Sequence, residues 1–425
     1  MQRAQPAVPG RRSLSRTSRS MFGRWLIASW DDPLGGALWA MAVYIAIAAH
    51  HGGMWRASKY AYFNYLADAF LHGQLHLLSM PASTHDLSVY LGQYYLYWPP
   101  FPAVVLMPFV ALAGPGFSDI LLTIAIGGLN VALVTLLLQQ ACTQRIIRLT
   151  PVQRSLLVIS FALGSTHLTL APYGRVWYTA QLIGFACVAL AYLAAISWSG
   201  WRAFVAAGVA IGCALLTRNH LALAGLWPAV YLLYRHWALP WRRVLGYTLG
   251  GLAPVVIAVA LLGAYNALRF GSALDNGLEY HRMSAFFRVD YQRYGAFNLH
   301  YLPTNVFYQF IAYPFPWRTR SSMGGSLFLL TPIFCGALWA IVTARPRWST
   351  LTLAATVVLV AIPILLLMGT GWHQFGPRYT LDFTVPLLLL TALGIRRWPT
   401  WLLTLLTLAA VVQYVIGAVY LGTVI

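Results

Sequence analysis

Apolar residues gather into twelve runs, at roughly 34–50, 99–114, 119–140, 155–172, 178–197, 203–217, 219–235, 244–266, 325–343, 350–368, 380–394 and 400–423. The longer ones approach the ~20 residues an α-helix needs to cross the hydrocarbon core of a bilayer. The pattern predicts an all-α polytopic membrane protein. One stretch, from Lys59 to Pro102, departs from it. At 100° per residue its first part puts Tyr60, Phe63, Leu66, Ala67, Phe70 and Leu71 on one side, and Asn64, Asp68 and His72 on the other. A segment too short to span, with one apolar face and aromatic edges, is expected to lie in the membrane interface.

Short cytoplasmic loops collect Lys and Arg, so the basic loops fix the orientation. If 99–114 crossed the membrane, Arg145, Arg148, Arg154 and every later basic loop would fall outside. If it dips in and returns, these arginines lie inside with the N-terminus, as do Arg202, Arg235, Arg242, Arg243, Arg345, Arg347, Arg396 and Arg397. Pro99, Pro100, Pro102 and Pro108 each lack a backbone donor, which favours the second arrangement. The expectation is about eleven transmembrane helices plus one re-entrant or interfacial hairpin, with the N-terminus inside and the C-terminus outside. Residues 1–30, with six arginines and no acid, read as a basic cytoplasmic arm, and 31–425 as a single transmembrane domain. Within that domain 51–118 form a first external loop carrying the interfacial helix and the hairpin, and 267–324 a large external loop. The first apolar run lacks the small-residue cleavage pattern of a signal peptide and is read as an uncleaved span.

Composition agrees with a membrane protein. Charged residues are 9% of the 425 and hydrophobic residues 59%, whereas a soluble domain carries about 25% charged residues. The 17 tryptophans and 24 tyrosines suit rings anchored at two interfaces. The net charge of +19 is spread over the ends of apolar runs, so it serves topology and implies no nucleic-acid partner. Four cysteines without a CxxC spacing indicate neither a disulfide framework nor a zinc site.

Chemistry concentrates in the outer loops. Asp68 and Asp86 are two of only nine carboxylates and share the first external loop. Each is a candidate general base, since a carboxylate at a low-dielectric surface is readily tuned. Asp68 equally suits a solvated helix face paired with His72, and Asp86 a turn in which aspartate bonds its own backbone. Arg175, Arg218 and Arg378 stand at three outer span ends with few acids to pair them. Each alone suits a snorkelling side chain, and together they suit a phosphate headgroup bound by bidentate hydrogen bonds. Asn64, His72, Tyr94, Tyr95, His373 and Glu279 are the further candidates for substrate contact. No GxxxxGK[ST], strand-flanked GxGxxG, HExxH or GxSxG pattern is present. No cofactor is expected; a divalent cation is compatible with such chemistry, but no acidic pair marks a site for one.

Four features in order carry a resemblance: Leu66-Ala67, Ala69, Leu71 and Gly73 after a tyrosine in the interfacial segment; Tyr97-Trp98-Pro99-Pro100; a basic turn before a new span; and Phe375-Gly376-Pro377-Arg378-Tyr379 ahead of another. Over residues 34–235 and 369–394 the chain resembles the membrane-embedded glycosyltransferases of the C superfamily (GT-C). It looks most like bacterial members related to the polyprenyl-phosphate-sugar-dependent mannosyl- and arabinosyltransferases. The resemblance implies inverting transfer from a polyprenyl-phosphate sugar to a hydroxyl of a lipid or glycan acceptor, on the external side of a bacterial inner membrane. It also implies an acidic base just ahead of the interfacial helix. Here that position reads Arg56-Ala57-Ser58-Lys59, so Asp68 or Asp86 takes the role or the member has lost it. Two rivals stand beside the enzyme: a flippase or other carrier of lipid-linked sugars, and a catalytically degenerate partner subunit.

Overall fold

The computed structural model describes residues 27–315, 323–369, 371 and 374–424. Most of the expected basic arm, and His373, lie outside the described residues. The chain begins with α1 (Pro33–His51), capped by Asp32, whose Oδ2 accepts the Gly35 N–H at 2.7 Å. Two short helices follow, α2 (Tyr62–Leu71) and α3 (Phe101–Ala113), with a hairpin of β1 (Ser88–Tyr90) and β2 (Gln93–Tyr95) between them. Next come α4 (Asp119–Thr143), α5 (Pro151–Leu163), α6 (Thr166–Leu170), α7 (Val176–Ser197) and α8 (Trp201–Leu215). A 3-10 turn (Asn219–Gly225) leads into α9 (Leu226–His236) and the long α10 (Trp241–Phe270). After a long connection with α11 (Ala285–Tyr294) and α12 (Leu302–Val306), the chain continues through α13 (Leu327–Leu330), α14 (Cys335–Thr343) and α15 (Arg347–Leu366). A second 3-10 turn (Arg378–Phe383) then enters α16 (Thr384–Ile395), and α17 (Thr400–Val424) closes the chain.

Seven helical segments among the described residues are long and apolar enough to span: α1, α4, α7, α10, α15, Arg378–Ile395 and α17. The remaining apolar runs fold as shorter pieces, so length alone does not reach the expected eleven. The run 155–172 breaks at Gly164 between α5 and α6, and 325–343 is divided by the turn at Pro332–Phe334. Helices approach closely where glycines face each other. A methyl group at Gly394 would overlap the Gly336 carbonyl, and one at Gly208 the Gly251 carbonyl. Small residues let backbones touch where apolar association gains little from a lipid solvent.

The expected hairpin at 99–114 is instead one helix. Pro102 falls in its first turn, where a missing N–H costs nothing. Only Pro108 lies in the interior. At 13 residues α3 is about 20 Å long, too short to span, and it packs along α2. That packing changes α2 as well. Tyr62, Phe63, Leu66 and Ala67 are buried with Leu106 and Val110 of α3. Asn64, expected on the wet face, is fully buried, its Nδ2 donating to the Pro115 and Phe117 carbonyls at 3.1 and 2.6 Å. The segment after α3 folds back over this turn of α2, which the period of α2 alone does not reveal.

The 86–89 and 280–282 segments are knitted by backbone bonds. Val89 N–H donates to Tyr280 O at 3.0 Å, Arg282 N–H to Leu87 O at 2.8 Å, and Asp86 N–H to Arg282 O at 3.3 Å. Residues 280–282 thus run along β1 and draw the connection after α10 over the one between α2 and α3.

Candidate active site

Beneath these knitted loops lies a cavity of about 750 Å³. Its walls come from the 85–99 segment, the 276–287 stretch after α10, the C-terminal end of α15, and the turns carrying Arg175, Arg218 and Arg378. All three arginines line it, and so does Asp86.

Arg175 is held by its backbone. Its φ is 81°, uncommon for a residue with a side chain, and its N–H donates to Asp119 Oδ2 at 2.8 Å. The same buried carboxylate accepts the Ser58 N–H at 2.7 Å and the Ser58 hydroxyl at 2.6 Å. Asp119, at the start of α4, therefore ties the segment before α2 to the turn before α7. The sequence reading overlooked it. Its carboxylate reaches Ser58, within the acid-free stretch ahead of the interfacial helix, but Asp119 does not line the cavity. The Arg175 guanidinium lies 5.3 Å from the Tyr60 ring centroid and 5.9 Å from that of Tyr178.

Arg218 is held by its charge. Nη2 lies 2.9 Å from Asp382 Oδ2, and His220 Nε2 lies 2.8 Å from the same oxygen. The Asp382 side chain is 0% exposed, so one buried carboxylate serves both cavity-lining side chains. Arg378 is set among rings: Tyr379, Trp177 and Tyr178 at 4.8, 5.8 and 5.8 Å from its guanidinium carbon. Its Nη2 donates to the Tyr379 hydroxyl at 3.2 Å. Among the described residues no carboxylate pairs with Arg378, and its Nε and that of Arg218 are buried without hydrogen-bond partners.

On the other wall Asp86 takes a left-handed conformation, φ 66°. Its Oδ1 lies 3.2 Å from His85 Nε2 and 3.3 Å from His281 Nε2. Tyr97 joins the two walls. Burial pushes its hydroxyl pKa well above the ordinary value; Asp86 and Tyr379 push the same way, and Arg218 and Arg378 pull against them. One phenol is thus within electrostatic reach of the carboxylate and of two guanidiniums.

The other expected site residues lie outside the cavity lining. Asp68 Oδ1 sits 3.7 Å from His72 Nδ1 on the exposed end of α2, an i,i+4 surface pair. Tyr94 accepts from Arg282 Nη1 at 3.1 Å, Tyr95 donates to Gln93 Oε1 at 2.8 Å, and Glu279 is exposed. These residues brace or face out of the loops. Conversely His85, Tyr97, His220 and His281 line the cavity, with Asp382 directly behind Arg218 and His220. Among the described residues no group of three His, Cys, Asp or Glu is placed to hold a metal ion.

The arrangement of helices has the fold of two solved membrane-protein structures. The crystal structure of ArnT from Cupriavidus metallidurans bound to undecaprenyl phosphate aligns with a TM-score of 0.52 at 18% identity, covering 86% of this chain and 61% of that one. Its apo form aligns at 0.50 and 18%, covering 86% and 60%. The Archaeoglobus fulgidus oligosaccharyltransferase, solved in complex with Zn and sulfate, aligns at 0.49 and 13%, covering 91% and 53%. This chain thus spans about three-fifths of the ArnT structures. No protein-family model matches the sequence, and no curated protein does.

Proposed function

We propose that the chain transfers a sugar from a polyprenyl-phosphate-linked donor to an acceptor hydroxyl of a lipid or glycan, with inversion. The observation that carries this reading is the meeting of Arg175, Arg218, Arg378 and Asp86 in one cavity of a glycosyltransferase fold. A phosphodiester donor bears one negative charge and gathers a second as its bond to the sugar breaks. Guanidiniums placed in advance stabilise that growing charge more than the ground state, which is the requirement for catalysis. Asp86 takes the acceptor proton in this reading, and Asp68, outside the cavity, gives up the role. The undecaprenyl phosphate bound by ArnT supports a polyprenyl carrier. The carrier reading is less well served, since His167, the most central ionisable side chain, is buried and bonded to Tyr44, not open to a pathway. The test is release of polyprenyl phosphate from a labelled lipid-linked sugar by purified protein in lipid. Release that requires an added hydroxyl acceptor is expected; donor movement across the bilayer without release would make the chain a carrier.

The cavity faces outward in this proposal. The loops with Arg145, Arg148 and Arg154, with Arg242 and Arg243, and with Arg396 and Arg397 join helix ends remote from the cavity, and positive loops stay inside. In a cysteine-free background, cysteines at Arg148 and Arg242 are expected to resist an impermeant thiol reagent in intact cells. One at Leu274, 94% exposed at the outer end of α10, is expected to react. Labelling at position 148 alone would reverse the orientation.

A further inference from the structure

We infer that His220 is a second catalytic residue, the proton donor to the departing phosphate, and that Asp382 is the positioning residue that holds it. This rests on the transfer reaction proposed above. Asp382 Oδ2 is 2.8 Å from His220 Nε2, and a carboxylate only accepts, so Nε2 carries a proton toward it. The second ring nitrogen, Nδ1, is left for the cavity, which His220 lines beside Arg218 and Arg378. Donation from Nδ1 requires the doubly protonated ring, in which both nitrogens are donors. The charged and titratable side chains that share the cavity lining with it are Arg175, Arg218, Arg378, Asp86, His85, His281, Tyr60, Tyr97, Tyr178 and Tyr379, and Asp382 is the carboxylate bonded to it.

The location matches the demands of inversion. The acceptor enters on one face of the anomeric carbon and the phosphate leaves from the other, so base and acid belong on different walls. Asp86 stands on the wall of knitted loops; His220 stands on the turn between α8 and α9, backed by the turn before α16. In the step, the acceptor oxygen bonds the anomeric carbon and its proton passes to the Asp86 carboxylate. The bond from the anomeric carbon to the phosphate oxygen breaks with its electron pair on that oxygen. The Nδ1 proton of His220 moves to the phosphate, and solvent carries the proton from Asp86 back to the imidazole. Arg218, fixed to the same Asp382 oxygen at 2.9 Å, holds the phosphate while this happens.

The experiment is turnover and KM across pH in lipid nanodiscs, for wild type, His220→Gln and Asp382→Asn, with binding of polyprenyl phosphate measured on the same preparations. For His220→Gln the expected result is a fall in kcat of about 10²–10⁴-fold, with KM and polyprenyl phosphate binding close to wild type. The wild-type loss of turnover as pH rises should vanish in this variant, because no imidazolium remains to lose. Asp382→Asn should lower kcat while keeping a loss of turnover as pH rises, because the imidazole is still present but no longer held through Nε2. Retained turnover and an unchanged pH profile in a His220→Gln protein that binds polyprenyl phosphate would overturn the assignment and leave the transfer reaction standing. A loss confined to binding would make His220 a phosphate ligand only and also overturn it. Wild-type protein that binds polyprenyl phosphate but transfers no sugar would remove both readings together.

Discussion

Asparagine in place of Asp86 is expected to lower turnover by about 10²–10⁴-fold, the range that general-base assistance supplies, with donor affinity nearly unchanged. The substitution is a clean chemical test because of the backbone. Asp86 sits at φ 66°, and asparagine tolerates the left-handed region better than any other residue with a side chain. The amide in Asp86→Asn keeps the shape and one carbonyl oxygen between His85 and His281 but has no basic oxygen to receive a proton. Asp68→Asn is the companion measurement. Its carboxylate pairs with His72 at the end of α2, outside the cavity lining, so turnover is expected to stay near wild type. Both variants are read by release of labelled polyprenyl phosphate alongside donor affinity. Full activity in Asp86→Asn would move the base elsewhere, and inactivity in Asp68→Asn would return it to the helix stripe.

That contrast between Asp68 and Asp86 marks where sequence reading stops. The lengths of the apolar runs locate nearly every helix, because burial in lipid leaves a one-dimensional signature. Arg175, Arg218 and Arg378 were legible for a related reason: cations at the ends of apolar runs stand out in a chain with nine acids. The cavity then gathers all three. What the sequence does not carry is which polar stripe faces that cavity. The spacing of Asn64, Asp68 and His72 describes a helix face, but α3 and the 115–117 segment decide what covers it. Likewise Asp119 meets Arg175 across 56 positions and Asp382 meets His220 across 162, distances at which no local period survives. The prolines at 99, 100 and 102 suggested a reversal because proline breaks helices; at a helix start the same residues are allowed, and α3 begins there.

Glutamine in place of Arg378 is expected to weaken binding of polyprenyl phosphate by about 1.5–3 kcal/mol, the value of a hydrogen bond to a charged group, or roughly 10- to 150-fold in affinity. Arg378 is the informative arginine of the three. Arg218 shares Asp382 with His220, so its loss also strands part of a buried ion pair, and such a cost mixes stability with binding. Arg175 is positioned through its own backbone N–H and the buried Asp119. Arg378 has no carboxylate partner among the described residues and is 7% exposed among Trp177, Tyr178 and Tyr379. Its charge is therefore left for a ligand, in surroundings where salt screens weakly. Lysine at this position should restore only part of the affinity, because a point charge lacks the planar fork that grips two phosphate oxygens and stacks on rings. Quenching of tryptophan fluorescence, with Trp177 beside the guanidinium, reports binding directly. Wild-type affinity in Arg378→Gln, measured with Arg218→Gln also unaffected, would place the phosphate outside this cavity and remove the observation on which the proposed reaction rests.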